Sequence, residues 1–228
     1  MSRCMVEYTL NRSKRKTLGI YIKDGGVEVR APLKCPKFEI ENFLKTKEAW
    51  ITEKLHKSKK QVEMKKAFTL DYGNKILFRG AEYPIVEREC TRIGFNGECF
   101  YCPPNLSHEH IKDICIKIYR NLAKNYITER VAVYAGQMGV TPAAVKINSA
   151  TTRWGSCSSR KNLNFSWRLI MASDDVIDYV SVHELAHLLE MNHSNRFWAI
   201  VEKTLPDYQE RQLELRKLRR KLNTEDWN

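Results

Sequence analysis

Hydrophobic and polar positions alternate along the first thirty residues with the two-residue period of β-strands. The strand-like segments are 6–10, 18–22 and 27–31. Asp24-Gly25-Gly26 stands between the last two segments and predicts a hairpin turn. From residue 37 the spacing becomes helical and predicts an amphipathic helix over 37–61, after which 68–101 return to short strands. The pattern therefore indicates that residues 1–104 form a mixed, β-rich N-terminal region that contains one helix.

Helical spacing dominates the second half of the chain. Helices are predicted over 107–138 and 175–190, and after Ser194 and Pro206. Short strands are predicted at 144–148, 151–157 and 163–169. Gly139 is the expected C-cap of the long helix, and Ser173 or Asp174 the expected N-cap of the next one. Leu213 is among the residues expected to face inward from the last helix. These elements predict an α+β fold with a second domain over 105–228.

Composition narrows the class of protein. Of the 228 residues, 43% are hydrophobic, which is typical of a globular chain. No apolar run approaches the length of a bilayer span, and the N-terminal residues lack the apolar core of a secretory signal. The seven cysteines are odd in number and irregularly spaced, as expected of free thiols in a reducing compartment. We therefore expect a cytoplasmic protein that does not contact a membrane.

The charge of the chain is strongly basic. The formal net charge is +12, and residues 1–66 hold 17 Lys and Arg against 8 Asp and Glu. Such a surface attracts acidic partners, nucleic acid included. A solvated basic face on ordinary helices explains the same charge, and no nucleic-acid-binding motif favours the first interpretation. Nucleic-acid contact through the basic N-terminal region stays a hypothesis.

The strongest chemical signal is the pentapeptide His183-Glu184-Leu185-Ala186-His187. Two histidines four residues apart project from one face of a helix, so both imidazoles can reach one metal ion. Glu184 lies between them and can act as general base on water that the metal activates. The surrounding helix is apolar nearly all round, so a buried helix would leave these polar groups needing partners. The motif predicts one Zn²⁺ ion, with His183 and His187 as ligands and Glu184 as the catalytic residue.

Two residues compete as the third zinc ligand. His193 follows His187 at the spacing of the longer metzincin motif and would leave one coordination position open. Glu190 stands where that motif has glycine, so we expect Asn192, in a left-handed conformation, to make the turn. The alternative ligand is Glu202 from the next helix, as in zincins with a carboxylate ligand. The spacing favours His193.

Candidates for substrate contacts precede or lie within the motif helix. A developing negative charge needs a donor opposite the metal, and the candidates are Arg153, Ser156 and Tyr179. The strand 163–169 is expected to edge the cleft and to pair with the backbone of an extended peptide. Cys157 has no visible base beside it and is interpreted as a packing residue. These residues favour a zinc-dependent hydrolase that acts on peptide bonds.

Several segments together resemble one protein family, the YgjP-like metal-dependent hydrolases, which are related to SprT-like and WLM metallopeptidases. The segments are 152–158, 162–169, 178–180, 183–187, 192–194 and 197–198. The resemblance extends to the N-terminal strands and Ala31-Pro32, so it covers most of the chain. It implies a zincin-like catalytic domain, in which a small antiparallel-edged sheet accompanies an active-site helix, and one zinc ion. It also implies that His183, His187 and His193 are the ligands and that Glu184 is the catalytic base.

Four functions are compatible with these residues. The leading hypothesis is a small zinc metallopeptidase with a peptide or protein substrate. The second is hydrolysis of a non-peptide substrate such as a nucleoside triphosphate, although the chain has no P-loop. The third is a DNA-associated protease like the SprT-like relatives. The fourth is a non-catalytic zinc-binding protein, against which Glu184 argues because a structural site needs no base.

Overall fold

The structure is a computed structural model that describes residues 6–227. Contacts within the chain form two compact units, one from residues up to Phe68 with Leu222–Asp226, the other from Thr69–Lys221 with Trp227. Segment 69–104 therefore groups with the second unit, whereas the sequence division placed it with the N-terminal region. The domain boundary at 104/105 stays a prediction. Helices and strands occur in both units, and the predicted α+β class is confirmed.

The first unit contains a three-stranded sheet and two helices packed on it. Its elements are β1 (Thr9–Ser13), β2 (Gly19–Lys23), β3 (Gly26–Pro32), α1 (Lys37–Thr46) and α2 (Glu48–Ala67). β3 is the middle strand, parallel to β1 and antiparallel to β2. Asp24 and Gly25 have φ angles of 51° and 75°, as a type I′ hairpin turn requires, so the predicted turn is confirmed. The core of this unit consists of alternate residues of β3 and the buried faces of α1 and α2.

The prediction of one continuous helix over 37–61 is wrong, because the structure has two helices, α1 and α2, in this part of the chain. Lys47, with φ −113° and ψ 10°, ends α1 and begins α2. Backbone hydrogen bonds span the break, because Lys47 N donates to Leu44 O and Ile51 N donates to Lys47 O. Leu44 and Ile51 are both buried, so the apolar spacing continues through the break and does not reveal it.

The second unit contains two small sheets and the helices of the predicted catalytic region. Its strands are β4 (Lys75–Phe78), β5 (Ala81–Glu87), β6 (Gly94–Phe95), β7 (Phe100–Cys102), β8 (Ala144–Asn148), β9 (Gly155–Cys157) and β10 (Asn162–Ser166). Its helices are α3 (His108–Met138), α4 (Asp174–Ala186), α5 (Asn195–Thr204) and α6 (Tyr208–Leu222), with a 3-10 helix at Trp167–Met171. The strand orders are β4-β5-β7-β6 and β8-β10-β9.

Of the two central helices, α3 forms as predicted, whereas α4 ends at Ala186, before the predicted end at residue 190, and the Ser173 side chain makes no capping hydrogen bond. The Ser107 side chain accepts a hydrogen bond from His110 N at the start of α3, and Gly139 ends the helix at φ 65°. α3 packs against α4, whose residues from Val176 to Val182 are all buried. Among residues 6–227, no helix is both long enough and apolar enough for a membrane span. Because α4 is buried from Val176 to Val182, each of its buried polar side chains needs an explanation.

The strand predicted over 163–169 is not the edge of the cleft. β10 pairs in parallel with β8 and antiparallel with β9, so both of its backbone edges are occupied. After Ser166 the chain leaves the sheet and enters the 3-10 helix. The edge strand on this side is β9, which contacts α4 and is shorter than the predicted strand 151–157.

Candidate metal centre

Three histidine side chains of the second unit converge. Each offers a ring nitrogen, and these atoms all lie within 4.8 Å of one another. His183 belongs to α4, His187 follows its last residue, and His193 lies in the turn before α5. The Nε2 atoms of His183 and His193 are 3.0 Å apart. Nitrogen ligands about 2.0–2.1 Å from a tetrahedral zinc ion have comparable separations, so the structure brings together the three histidines that the sequence singled out.

The turn that returns His193 to α4 differs from the predicted one. Asn192 is not among the left-handed residues of the described chain, so that part of the prediction is wrong. Instead, Ser194 N donates to Asn192 O at 2.8 Å, which closes a three-residue turn around His193. Ser194 Oγ then accepts from Phe197 N at 3.3 Å and caps α5, the helix predicted after Ser194. A tight turn followed by a cap therefore holds His193 in place.

A phenylalanine ring supports all three imidazoles. Phe197 is fully buried, and its ring centroid lies 4.9 Å from that of His183. The corresponding distances are 4.6 Å to His187 and 4.7 Å to His193. Packing on one rigid ring limits the rotamers of the three histidines and keeps their nitrogens directed at one point.

Glu190 contributes its backbone where the metzincin motif would have glycine. Its carbonyl oxygen lies 3.2 Å from Nδ1 of His187. Because a carbonyl only accepts hydrogen bonds, Nδ1 carries the proton and Nε2 keeps its lone pair for a metal. Nδ1 of His183 is buried without a hydrogen-bond partner in residues 6–227.

The electrostatic setting keeps the imidazoles of His183 and His187 neutral, which is the form that binds metal. Burial, together with the neighbouring His187 and His193, lowers the pKa of His183 to about 3. Burial also lowers the pKa of His187. Three imidazole nitrogen donors around one point match the ligand set of a catalytic zinc ion. The side chains present therefore fit the predicted metal.

Glu184 is a buried carboxyl in close contact with β9. Glu184 is only 5% exposed, and its Oε2 atom has no hydrogen-bond partner in the described chain. A β-carbon added to Gly155 would lie 2.5 Å from Glu184 Oε1, so only glycine leaves room for this carboxyl. Burial raises the pKa of Glu184 to about 8, and the positive charge of Arg153 opposes this rise. The carboxyl can therefore exchange a proton near neutral pH.

The other candidate residues fall in different places. Arg153 is exposed and close enough for its charge to act on Glu184. Tyr179 is buried one turn before His183, with ring centroids 5.9 Å apart, and its hydroxyl accepts from Gln212 Nε2 at 3.2 Å. Side chains alternate along a strand, so Ser156 projects from the face opposite to the one at which Gly155 meets Glu184.

Glu202, the alternative third ligand, is exposed on α5 and is not part of the histidine group. The geometry therefore supports His193 over Glu202. Sequence reasoning overlooked three contributors: Gly155, Phe197 and the Glu190 carbonyl. Only Gly155 had a visible signal, because glycine inside a predicted strand often marks a close approach by another group. The contributions of Phe197 and Glu190 depend on the turn after α4.

Comparison with known proteins gives limited structural likeness. No curated protein matches the chain significantly. The crystal structure of the metallopeptidase zymogen of Pyrococcus abyssi abylysin is 20% identical, covers 43% of this chain and 97% of that chain, and has a TM-score of 0.38. The crystal structure of the metallopeptidase zymogen of Methanocaldococcus jannaschii jannalysin is 17% identical, covers 40% and 94% respectively, and has a TM-score of 0.36.

The match to a protein family is much broader. The family described as YgjP-like, metallopeptidase domain, matches residues 16–218. This range includes β9, α4 and the turn that carries His193. It confirms the resemblance noted in the sequence. The chain belongs to the YgjP-like metallopeptidase family.

Proposed function

We propose that this protein is a zinc metallopeptidase that holds one Zn²⁺ ion through His183, His187 and His193. The convergence of three imidazole nitrogens next to the buried Glu184 carboxyl, whose Oε2 has no hydrogen-bond partner within residues 6–227, carries the proposal. A three-histidine set leaves a coordination position for reaction, as in catalytic zinc sites. Membership in a metallopeptidase family favours a peptide or protein substrate. The described cysteines are free thiols, which supports the cytoplasm as the proposed location.

Glu184 is the proposed general base. When bound, the zinc ion supplies Lewis acidity toward the scissile carbonyl and toward water. Glu184 accepts the proton of the attacking water and delivers it to the leaving amine. The exposed Arg153 guanidinium can approach the carbonyl oxygen as negative charge develops on it. The Tyr179 hydroxyl, oriented by Gln212, is a second candidate for that contact.

The free edge of β9 supports binding of the substrate backbone. Ser158 N donates to Asn162 O, and Ser166 N donates to Trp154 O. Backbone groups alternate in an antiparallel ladder, so those of Gly155 and Cys157 point away from β10. An extended peptide can pair with this edge through main-chain hydrogen bonds. Such bonds depend little on the amino-acid sequence of the peptide. This role passes from the predicted strand 163–169 to β9.

Substitution of the base tests the proposed function. We expect Glu184→Gln to keep one zinc ion per chain while kcat for peptide cleavage falls by roughly 10²–10⁴, the usual contribution of a general base. Turnover of a mixed fluorogenic peptide library and metal content by mass spectrometry are measured on the same samples. Glu202→Gln removes an exposed carboxylate on α5 and serves as the matched control, with wild-type turnover expected.

The same assay separates peptide cleavage from the alternative substrates. The nucleotide and nucleic-acid hypotheses gain no support from the family assignment. Nucleoside triphosphates and a DNA duplex are therefore included as parallel arms. Unchanged peptide turnover in Glu184→Gln would contradict the role of the base. Nucleotide hydrolysis that depends on zinc and Glu184, without peptide cleavage, would replace the proposed function with the second hypothesis.

A further inference from the structure

A pocket of about 360 Å³ lies between α5 and α6, next to the histidine cluster. Its lining residues are Trp198, Tyr208, Gln209, Gln212, Leu213 and Arg216. The volume falls in the range of about 300–1,000 Å³ found for ligand pockets. We propose that this pocket binds a carboxylate group of the peptide substrate, an inference that rests on the metallopeptidase function proposed above.

The pocket is adjacent to the reaction site. The ring of Trp198 lies 5.9 Å from that of His183 and 5.8 Å from that of His193. On the other side, Gln212 donates its hydrogen bond to Tyr179, whose ring is 5.9 Å from His183. Residues of an extended peptide are about 3.3 Å apart along the chain. The side chain of a residue one or two positions from the scissile bond can therefore enter the pocket.

One wall of the pocket is apolar. Trp198 and Tyr208 stack with ring centroids 5.4 Å apart and an interplanar angle of 19°. Leu213, which the sequence predicted to face inward, is 53% exposed and lies at the pocket instead. That prediction is wrong because α6 has no buried residue at all in this structure. Such a wall suits the methylene stem of a side chain that carries a polar tip.

The other side of the pocket is polar and carries the positive charge of Arg216. Its Nη2 donates to Gln212 Oε1 at 2.8 Å, and no carboxylate of residues 6–227 forms an ion pair with it. Arg211, earlier on the same helix, pairs with both Asp175 and Asp207. A planar guanidinium with an adjacent carboxamide matches the geometry of a carboxylate. An arginine left without an acidic partner at a pocket therefore favours an anionic ligand over an amide or an ammonium group.

A substrate can present a carboxylate in two ways, as an Asp or Glu side chain or as the C-terminus of the peptide. Paired peptides distinguish them. One series is acetylated and amidated, with Glu or Gln at each position flanking the scissile bond. The other keeps one sequence and varies only between a free and an amidated C-terminus. Both series are cleaved by the zinc-loaded full-length protein, and kcat/KM is measured.

We expect the carboxylate member of one pair to be cleaved about tenfold more efficiently, as one charge-assisted bidentate contact supplies. Arg216→Gln should reduce this preference to within about twofold. Arg220→Gln removes an equal charge one turn further along α6, away from the pocket, and should leave the preference intact. The series in which the preference appears identifies the source of the carboxylate. Cleavage by the wild-type protein without any preference would overturn the inference.

A binding measurement separates this inference from the proposed function. Calorimetry on the Glu184→Gln variant compares the affinity of the same peptide pairs without turnover. Tighter binding of the carboxylate peptides that disappears with Arg216→Gln supports the pocket even if no peptide is ever cleaved, an outcome that would count against the metallopeptidase function alone. Equal affinities within every pair would reject the pocket as a carboxylate site, whether or not peptides are cleaved.

Discussion

Gly155 lies so close to the Glu184 side chain that no room remains between them for a β-carbon. A β-carbon at position 155 would lie 2.5 Å from Oε1, 2.6 Å from Cγ and 2.7 Å from Cδ of Glu184. Its backbone does not require the left-handed region, so the need for glycine at this position is spatial. The edge strand β9 thus approaches the carboxyl closely enough to confine it, which can set the position of the proposed base although Oε2 has no hydrogen-bond partner in the described residues.

We predict that Gly155→Ala lowers kcat/KM about 100-fold, because a displacement of the base near 1 Å suffices for such a loss. The free energy of unfolding should fall by about 1–3 kcal/mol from overpacking. Zinc content should stay at the wild-type level, since the three atoms nearest to the added β-carbon all belong to Glu184 and not to a histidine. These quantities are followed by peptide turnover, chemical denaturation and metal analysis.

Gly136→Ala is the matched control for this prediction. Gly136 lies on α3, and an added β-carbon would meet nothing within 4 Å. Alanine favours helix, so this variant should be as active as wild type and equally or slightly more stable. Wild-type turnover in Gly155→Ala would show that the carboxyl can move without consequence, contrary to the positioning role of β9.

At the scale of elements, the turn between β4 and β5 contacts the first turn of α4 and stabilises its position. Arg79 and Gly80 have φ angles of 49° and 79°, and Arg79 N donates to Ile170 O at 2.9 Å. The guanidinium of Arg79 forms a bidentate pair with Asp174, with Nε 2.6 Å from Oδ1. This pair connects the hairpin to the first turn of the motif helix, on which the histidines depend.

The Arg79–Asp174 pair predicts a stability difference that depends on pH. The hydrogen bond from Arg79 lowers the pKa of Asp174 in the folded state. The contribution of the ion pair to the free energy of unfolding is therefore fully present above the ordinary carboxyl pKa of about 3.9. It is lost as the pH falls through the lowered pKa of Asp174. Because the pair is partly exposed, Arg79→Gln should cost at most about 1 kcal/mol at pH 7.

Urea denaturation of wild type and Arg79→Gln at intervals from pH 7 to pH 3 measures this difference. It should shrink toward acid pH, and what remains reports the contact of Arg79 with the Tyr126 ring, 4.1 Å from the centroid. Lys124→Gln removes the same charge from an exposed position on α3 and should show no such trend. A difference that stays constant with pH would assign the effect of Arg79 to packing alone.

At the scale of the whole molecule, the proposed zinc ion would join α4 to the turn before α5. The three proposed ligands span only the end of one helix and the loop that follows, so binding would constrain the segment 183–193. A ligand that binds only the folded chain stabilises it by about 2.7 kcal/mol at a free concentration of 100 times Kd. The midpoint of thermal unfolding should therefore rise with zinc and fall after chelation.

His193→Ala and Glu202→Ala make this prediction specific. Thermal unfolding recorded at increasing zinc concentrations should show a weaker shift for His193→Ala and an unaltered shift for Glu202→Ala. The reverse result would make the carboxylate of α5 the third ligand and would contradict the geometry described above. Absence of any zinc-dependent shift in the wild-type chain would contradict the metal site itself.

The sequence by itself determined those features that one element contains within its own length. Apolar spacing and the terminal Ser107 and Gly139 specify α3, because caps and periodicity are local properties. Asp24-Gly25 specifies the β2–β3 turn for the same reason. Residues four apart on a helix share one face by geometry alone, so His183 and His187 as proposed ligands, with the proposed base Glu184 between them, are predictable before any fold is known.

Tertiary structure decided what depends on contacts between elements. His193 is brought to the other histidines by a turn around itself, whereas the sequence offered Asn192 and left Glu202 open as a ligand. The order β8-β10-β9 makes β9 the edge, and strand pairing is not encoded in the periodicity of either strand. The pocket of Arg216 likewise exists only because α6 lies beside α5. Periodicity tells which face of an element is apolar, and packing alone determines which faces meet.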